Sequence, residues 1–126
     1  MKGDGNPSND VETIIKFCDS IESAMEHFGD DEEDFLESEL YQNSCCFALL
    51  QIGEVVKRLP KEITKRYPDI EWSDIAGMRD FIVHSYHRTS MHRIWIAITT
   101  DIPVLKSECE TILGKLSAQR QERIDI

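Results

Sequence analysis

Apolar residues recur at helical spacing along nearly the whole chain, and no stretch alternates with the two-residue period of a strand. Val11, Ile14, Ile15, Cys18, Ile21, Met25 and Phe28 mark a first helix, opened by Asn9 and Glu12 in a capping-box arrangement and closed by Gly29. A second helix runs from near Asp31 to about Leu59. Leu36, Leu40, Phe47, Leu50, Val55 and Val56 are among its apolar positions, and Pro60 is its stop. The acids from Asp30 to Asp34 suit the positive end of that helix's dipole, so capping explains them without a metal or a partner.

Lys61 to Tyr67 predicts one or two helical turns, ended by Pro68. Trp72-Ser73-Asp74 opens a third long helix that carries the chain through Tyr86. After a break at Thr89-Ser90, the residues Met91, Ile94, Trp95, Ile98 and Thr99 mark a fourth. Asp101 and Pro103 interrupt that pattern, because proline is tolerated in the first turn of a helix and not in its middle. Leu105, Cys109, Ile112, Leu113 and Leu116 then define a fifth. The expectation is an all-α, up-and-down bundle of four to five helices over residues 9–116, with residues 1–8 a disordered leader and 117–126 a polar tail.

The 126 residues suffice for one domain with a single core and are too few for two comfortable ones. No apolar run approaches the roughly 20 residues needed to span a bilayer. The start of the chain, Met1 to Asn6, lacks the apolar stretch of a signal peptide, so a cytoplasmic protein is expected. Cys18, Cys45, Cys46 and Cys109 show no C-x-x-C spacing, and Cys18 and Cys109 fall on apolar helix faces, where free cysteine behaves as a small hydrophobe. Histidines and cysteines are scattered, so neither a metal site nor a cofactor is expected.

The formal net charge of −10 argues at first against a nucleic-acid partner. Its distribution alters that reading. Residues 1–40 carry 13 acids against Lys2 and Lys16, which is −11 in the first third alone. Residues 57–93 carry eight Lys and Arg against five acids, a local surplus of +3. Local potential, rather than the total, decides where a phosphate docks.

Within that basic segment lies Arg79-Asp80-Phe81-Ile82-Val83-His84-Ser85-Tyr86. Arginine presents a planar, permanently charged fork suited to phosphate. An imidazole exchanges its proton near neutral pH. The pairing suits metal-free cleavage of a phosphodiester. With Arg79 taken as zero, Asp80 lies at about 100° around the helix, His84 at about 140° and Tyr86 at about −20°. Asp80 and His84 are an i, i+4 pair, close enough for the carboxylate to orient the ring. The arc of about 160° is too wide for one flat face and calls for a cleft at a helix–helix or dimer interface. Ile75, Met78, Ile82 and Val83 are left to face the core, and His87, His92, Tyr67 and Trp72 receive no functional role.

With these residues in view, the chain resembles HepT-like members of the HEPN superfamily. Their R-x4-H-x-Y signature is met by Arg79, His84 and Tyr86, and Asp80 supplies the polar residue that often follows the arginine. Gln51-Ile52-Gly53-Glu54 resembles the family's I-G-E segment. Trp72 to Met78 resembles its approach to the motif, and Asp101-Ile102-Pro103-Val104-Leu105 its D-x-P-x-L segment. The likeness covers residues 9–116.

The resemblance implies a HEPN-like fold and a metal-independent ribonuclease toxin of a toxin–antitoxin pair, acting on RNA (tRNA or mRNA) as a homodimer with its cleft between protomers. It also implies an antitoxin partner, an MntA-like minimal nucleotidyltransferase, that blocks the toxin by adding AMP to the tyrosine at position 86. Arg79 and His84 are then the catalytic pair and Asp80 orients His84 or holds Arg79. The alternative is a non-catalytic helical partner or binding subunit of a nucleotidyltransferase. The chain has no glycine-serine followed by paired aspartates on a strand, and so could not supply nucleotidyl transfer itself.

Overall fold

A computed structural model of the protein describes residues 6–85 and 90–125. Every regular element among them is helical. Helix α1 (Pro7–Phe28) begins three residues earlier than the capping-box reading placed it. Pro7 takes the first helical position, and the Asn6 side chain accepts the Ser8 N–H at 2.9 Å, so Asn6 and not Asn9 is the cap. Val11, Ile14, Cys18 and Ile21 are buried along one stripe.

The long second helix expected from the sequence is two helices. α2 (Glu32–Leu36) stops at Glu37, and α3 (Glu39–Lys57) restarts with Ser38 as its cap, whose hydroxyl accepts the Tyr41 N–H at 3.1 Å. The restart resets the helical phase. α3 buries Tyr41, Cys45, Leu49, Ile52 and Val56, whereas Leu36, Leu40 and Phe47, among the apolar positions that marked the helix in the sequence, are exposed. Tyr41 donates its hydroxyl to the Gly29 carbonyl at 2.8 Å, and its ring stacks on Phe28 and meets Phe35 edge-on. This cluster fixes the turn between α1 and α3.

α4 (Lys61–Arg66) is short, and α5 (Trp72–Ser85) runs back alongside α3. α6 (Met91–Ile96) then leads without a break through a π-helical turn at Ala97–Asp101 into α7 (Ile102–Asp125). The break expected at Asp101 and Pro103 is therefore absent. Within the turn the Ile102 N–H donates to the Ala97 carbonyl five residues back. A regular helix would set the Pro103 ring against the Thr99 carbonyl and lose a hydrogen bond there, and the widened turn accommodates both defects.

The bundle takes its order from α1 and α3. α1 packs between α3 and α7, and α3 packs between α1 and α5. Ile94, Ile98, Ile102, Leu105, Cys109 and Ile112 close the core from the α6–α7 side. All four cysteines are free and buried. Part of the acidity of the first third is structural. Asp10 is buried against Arg58 at 3.2 Å, and Asp19 and Glu22 pair with Lys106 of α7 at 2.8 and 2.9 Å. Among the described residues no helix is long and apolar enough to cross a membrane.

Candidate active site

The site is organised by α5. Its first turn is fixed where the Trp72 indole donates to the Tyr67 carbonyl at 2.9 Å and the Glu71 carbonyl accepts from Asp74 and Ile75. Ile75 and Ile82 turn into the core, with Met78 partly buried against it. Val83, expected in the core, is exposed, because about 100° of helical rotation carries it away from Ile82.

Arg79 lies where α5 crosses α3, directly over Gly53. A β-carbon placed on Gly53 would stand 2.6 Å from the Arg79 Cβ, closer than packed carbons allow. The missing side chain therefore brings the two helices together at this residue. The Nε of Arg79 is closed off from solvent and forms an ion pair with Glu54, without the alignment of a hydrogen bond. Nη1 donates to Asp80 Oδ1 at 3.0 Å. The same oxygen accepts from Lys57 Nζ at 2.7 Å. Glu54 and Lys57 of α3 thus interlock with Arg79 and Asp80 of α5.

The hydrogen bond from Lys57, then that from Arg79, holds the Asp80 carboxyl below the usual carboxylate range. Its hydrogen bond to Asp80, reinforced by the Glu54 charge, moves the Arg79 guanidinium still higher. Of the two roles open to Asp80 in the sequence, the geometry matches the holding of Arg79, since its hydrogen bonds go to Arg79 and Lys57 rather than to His84. The cationic surplus of the segment is here balanced, two cations against two carboxylates.

His84 is exposed on α5, five residues beyond Arg79 and about 140° around the helix. Arg79 leans toward α3 while the imidazole faces outward. Tyr86 and His87 lie outside the described residues. His92 pairs with Glu32 of α2. Trp72 and Tyr67 are partly buried and pack against the core.

On the far side of α5 a groove of about 640 Å³ runs between α5 and the π-helical turn. The Arg93 guanidinium lies 4.2 Å from the centre of the Phe81 ring in its wall. Burial, and then the charge of Asp74, raise the Asp101 carboxyl above its ordinary range.

Sequence reasoning about chemistry missed Gly53, Glu54 and Lys57. The available signal was a glycine followed by a Glu and Lys three residues apart, which places opposite charges together on the helix beside a close-packing point. The I-G-E likeness had marked the segment but gave it no role.

The all-α bundle thus carries an Arg-Asp pair and a histidine on one helix. A family model described as "Ribonuclease HepT-like" matches residues 17–112, and the chain belongs to that family. It is 33% identical over 105 residues to a "Putative RNase" of Caldanaerobacter subterraneus subsp. tengcongensis, covering 83% of this chain and 92% of that protein. It is 31% identical over 114 residues to a "Putative RNase" of Methanocaldococcus jannaschii, covering 87% and 97%. A "Probable ribonuclease HepT" of Thermococcus cleftensis is 35% identical over 80 residues, 64% of this chain and 73% of that one. No solved structure matches significantly. The protein is a HEPN-type ribonuclease by family and an all-α bundle by fold.

Proposed function

We propose that this ribonuclease is the toxin of a toxin–antitoxin pair and cuts RNA without a metal ion, using Arg79 and His84. The observation that carries the reading is the fixing of Arg79 over Gly53, five residues ahead of an exposed imidazole on the same helix. The RNA's own 2′-oxygen attacks the adjacent phosphorus, the bond to the 5′-oxygen breaks, and a 2′,3′-cyclic phosphate is left. His84 takes the 2′-hydroxyl proton or gives one to the departing 5′-oxygen, a role typically worth about 10²- to 10⁴-fold. Arg79 offsets the charge that builds on the phosphoryl oxygens. In the free protein Asp80 holds the guanidinium, at 3.0 Å from Nη1, until RNA takes its place.

Arg79 and His84 diverge by about 140° around α5, so a second surface has to complete the cleft. A homodimer with two α5 helices facing each other would do so. Tyr86, the last residue of the R-x4-H-x-Y motif, is the target of the antitoxin in this reading. An MntA-like nucleotidyltransferase adding AMP there would bring bulk and negative charge to the place that has to accept a phosphate, which accounts for inhibition.

The test is purified protein with total tRNA, with and without EDTA, beside Arg79→Ala and His84→Ala. Cleavage that survives EDTA, ends in a cyclic phosphate and falls at least about 100-fold in each variant supports the reading. Cleavage abolished by EDTA, or retained by His84→Ala, defeats it. If the wild type leaves RNA intact while Arg79→Ala alters binding to a nucleotidyltransferase, the non-catalytic partner reading takes its place.

A further inference from the structure

The geometry points to Lys57 of α3 as a second phosphate-binding residue, forming with Arg79 a two-cation clamp whose centre is marked by Asp80 Oδ1. This inference rests on the phosphodiester reading and adds to it a residue from a different helix. One carboxylate oxygen lies 2.7 Å from Lys57 Nζ and 3.0 Å from Arg79 Nη1. The two cations therefore converge on a point that an anionic oxygen already occupies. Phosphate and carboxylate oxygens are both charged acceptors for Arg and Lys, so that point suits a backbone phosphate.

The place is accessible. The side chains of Lys57 and Asp80 are 40% and 49% exposed, so Asp80 can swing into solvent without leaving a buried charge behind. Arg79, by contrast, is held from below by Glu54 and by the tight passage over Gly53. The division of labour follows from these contacts. Arg79 is the fixed member, Lys57 the mobile one on a flexible stem, and Asp80 the internal anion displaced by substrate. The neutral balance of the free site explains how a chain of net charge −10 keeps two cations poised for RNA without exposing an unpaired basic patch.

Binding of a 2′-O-methyl oligoribonucleotide, which lacks the attacking hydroxyl, is measured by fluorescence anisotropy across a salt series. Wild type, Lys57→Ala, Lys57→Arg, Asp80→Asn and the charge-matched control Lys16→Ala on α1 are compared. Lys57→Ala is expected to weaken binding about tenfold and to flatten the slope of log K against log salt by about 0.7, one phosphate contact on a single strand. Lys57→Arg restores the slope, and Asp80→Asn tightens binding by removing the competing carboxylate. An unchanged slope in Lys57→Ala, an equal loss in Lys16→Ala, or weaker binding in Asp80→Asn overturns the clamp. A wild type that cleaves tRNA while Lys57→Ala keeps its slope sinks the clamp and leaves the ribonuclease reading standing. The reverse pattern, a Lys57-dependent slope without cleavage, keeps the clamp and sinks the metal-free mechanism.

Discussion

Gly53 of α3 lies so close beneath Arg79 of α5 that a β-carbon at position 53 would stand 2.6 Å from the Arg79 Cβ and 3.3 Å from its backbone nitrogen. The contact joins the packing of the bundle to the placing of the guanidinium. It also makes the two helical glycines of this region opposites, since a β-carbon on Gly77 of α5 would meet nothing within 4 Å.

Gly53→Ala and Gly77→Ala are therefore expected to move stability in opposite directions. Alanine gains roughly 0.5–1 kcal/mol over glycine in a helix interior. At position 77 nothing opposes that gain, and the melting temperature should rise. At position 53 the clash falls on atoms at the base of Arg79 that cannot turn aside, and overpacking of this kind costs about 1–3 kcal/mol. The net effect is a lower melting temperature and, because α5 is pushed off α3 at Arg79, weaker RNA cleavage. Thermal unfolding of the two variants side by side checks this, and a Gly53→Ala protein as stable as wild type contradicts it.

Asp101 sits in the groove beside Asp74, and burial followed by that neighbouring charge raises its carboxyl above the ordinary range. A carboxyl raised on folding favours the native state only while it is protonated. Its contribution is present below the unfolded value of about 3.9 and is lost as the pH rises through the folded value. Asp101→Asn removes the charge for good. The variant should melt above wild type at pH 7, with the difference shrinking as the pH falls toward 4. A variant that melts below wild type at pH 7 would show that the carboxylate makes a contact worth more than its desolvation costs.

How much of this could be read beforehand differs between the fold and the site. The all-α bundle follows from apolar spacing, and α1 buries Val11, Ile14, Cys18 and Ile21 and α7 buries Leu105, Cys109 and Ile112, as the spacing selects. Phase is what failed in α3. Ser38 restarts the helix, so Leu40 and Phe47 face solvent while Tyr41 and Leu49 go inside, and a periodicity drawn across the joint mixed the two faces. Pro103 misled for a related reason, since a π-helical turn can absorb a proline that a regular helix cannot. In the site, Arg79, Asp80 and His84 were legible because they share one helix, where angles follow from residue number. Glu54 and Lys57 were not, because their meeting with Arg79 and Asp80 depends on the α3–α5 crossing, which no local pattern encodes.

The cysteines give a chemical test of the core. Burial raises the thiols of Cys18, Cys45 and Cys109 to about 12 and that of Cys46 to about 11. The thiolate is the reactive form, and at pH 8 almost none is present in the native protein. A thiol reagent such as DTNB should label none of the four rapidly in the native state and all four in denaturant. Rapid native labelling of one cysteine would locate a local opening of the helix that carries it.

Asp10 and Arg58 pair where α1 and the end of α3 meet, Nε to Oδ1 at 3.2 Å, and the Asp10 side chain is 8% exposed. The carboxylate also lies in the first turn of α1, where the helix dipole favours it. Arg58→Met removes the partner and leaves a nearly buried charge alone. Because the Arg58 side chain is itself 38% exposed and water can reach its place, the cost should be about 1–2 kcal/mol, below that of breaking a fully buried pair. Asp10→Ala added to Arg58→Met takes away the stranded charge, so the double variant should be more stable than the sum of the two single losses implies. The coupling expected for residues in direct contact is about 0.5–3 kcal/mol, read from denaturant unfolding of the four proteins. Strict additivity would mean that Asp10 is satisfied by solvent and the helix dipole alone.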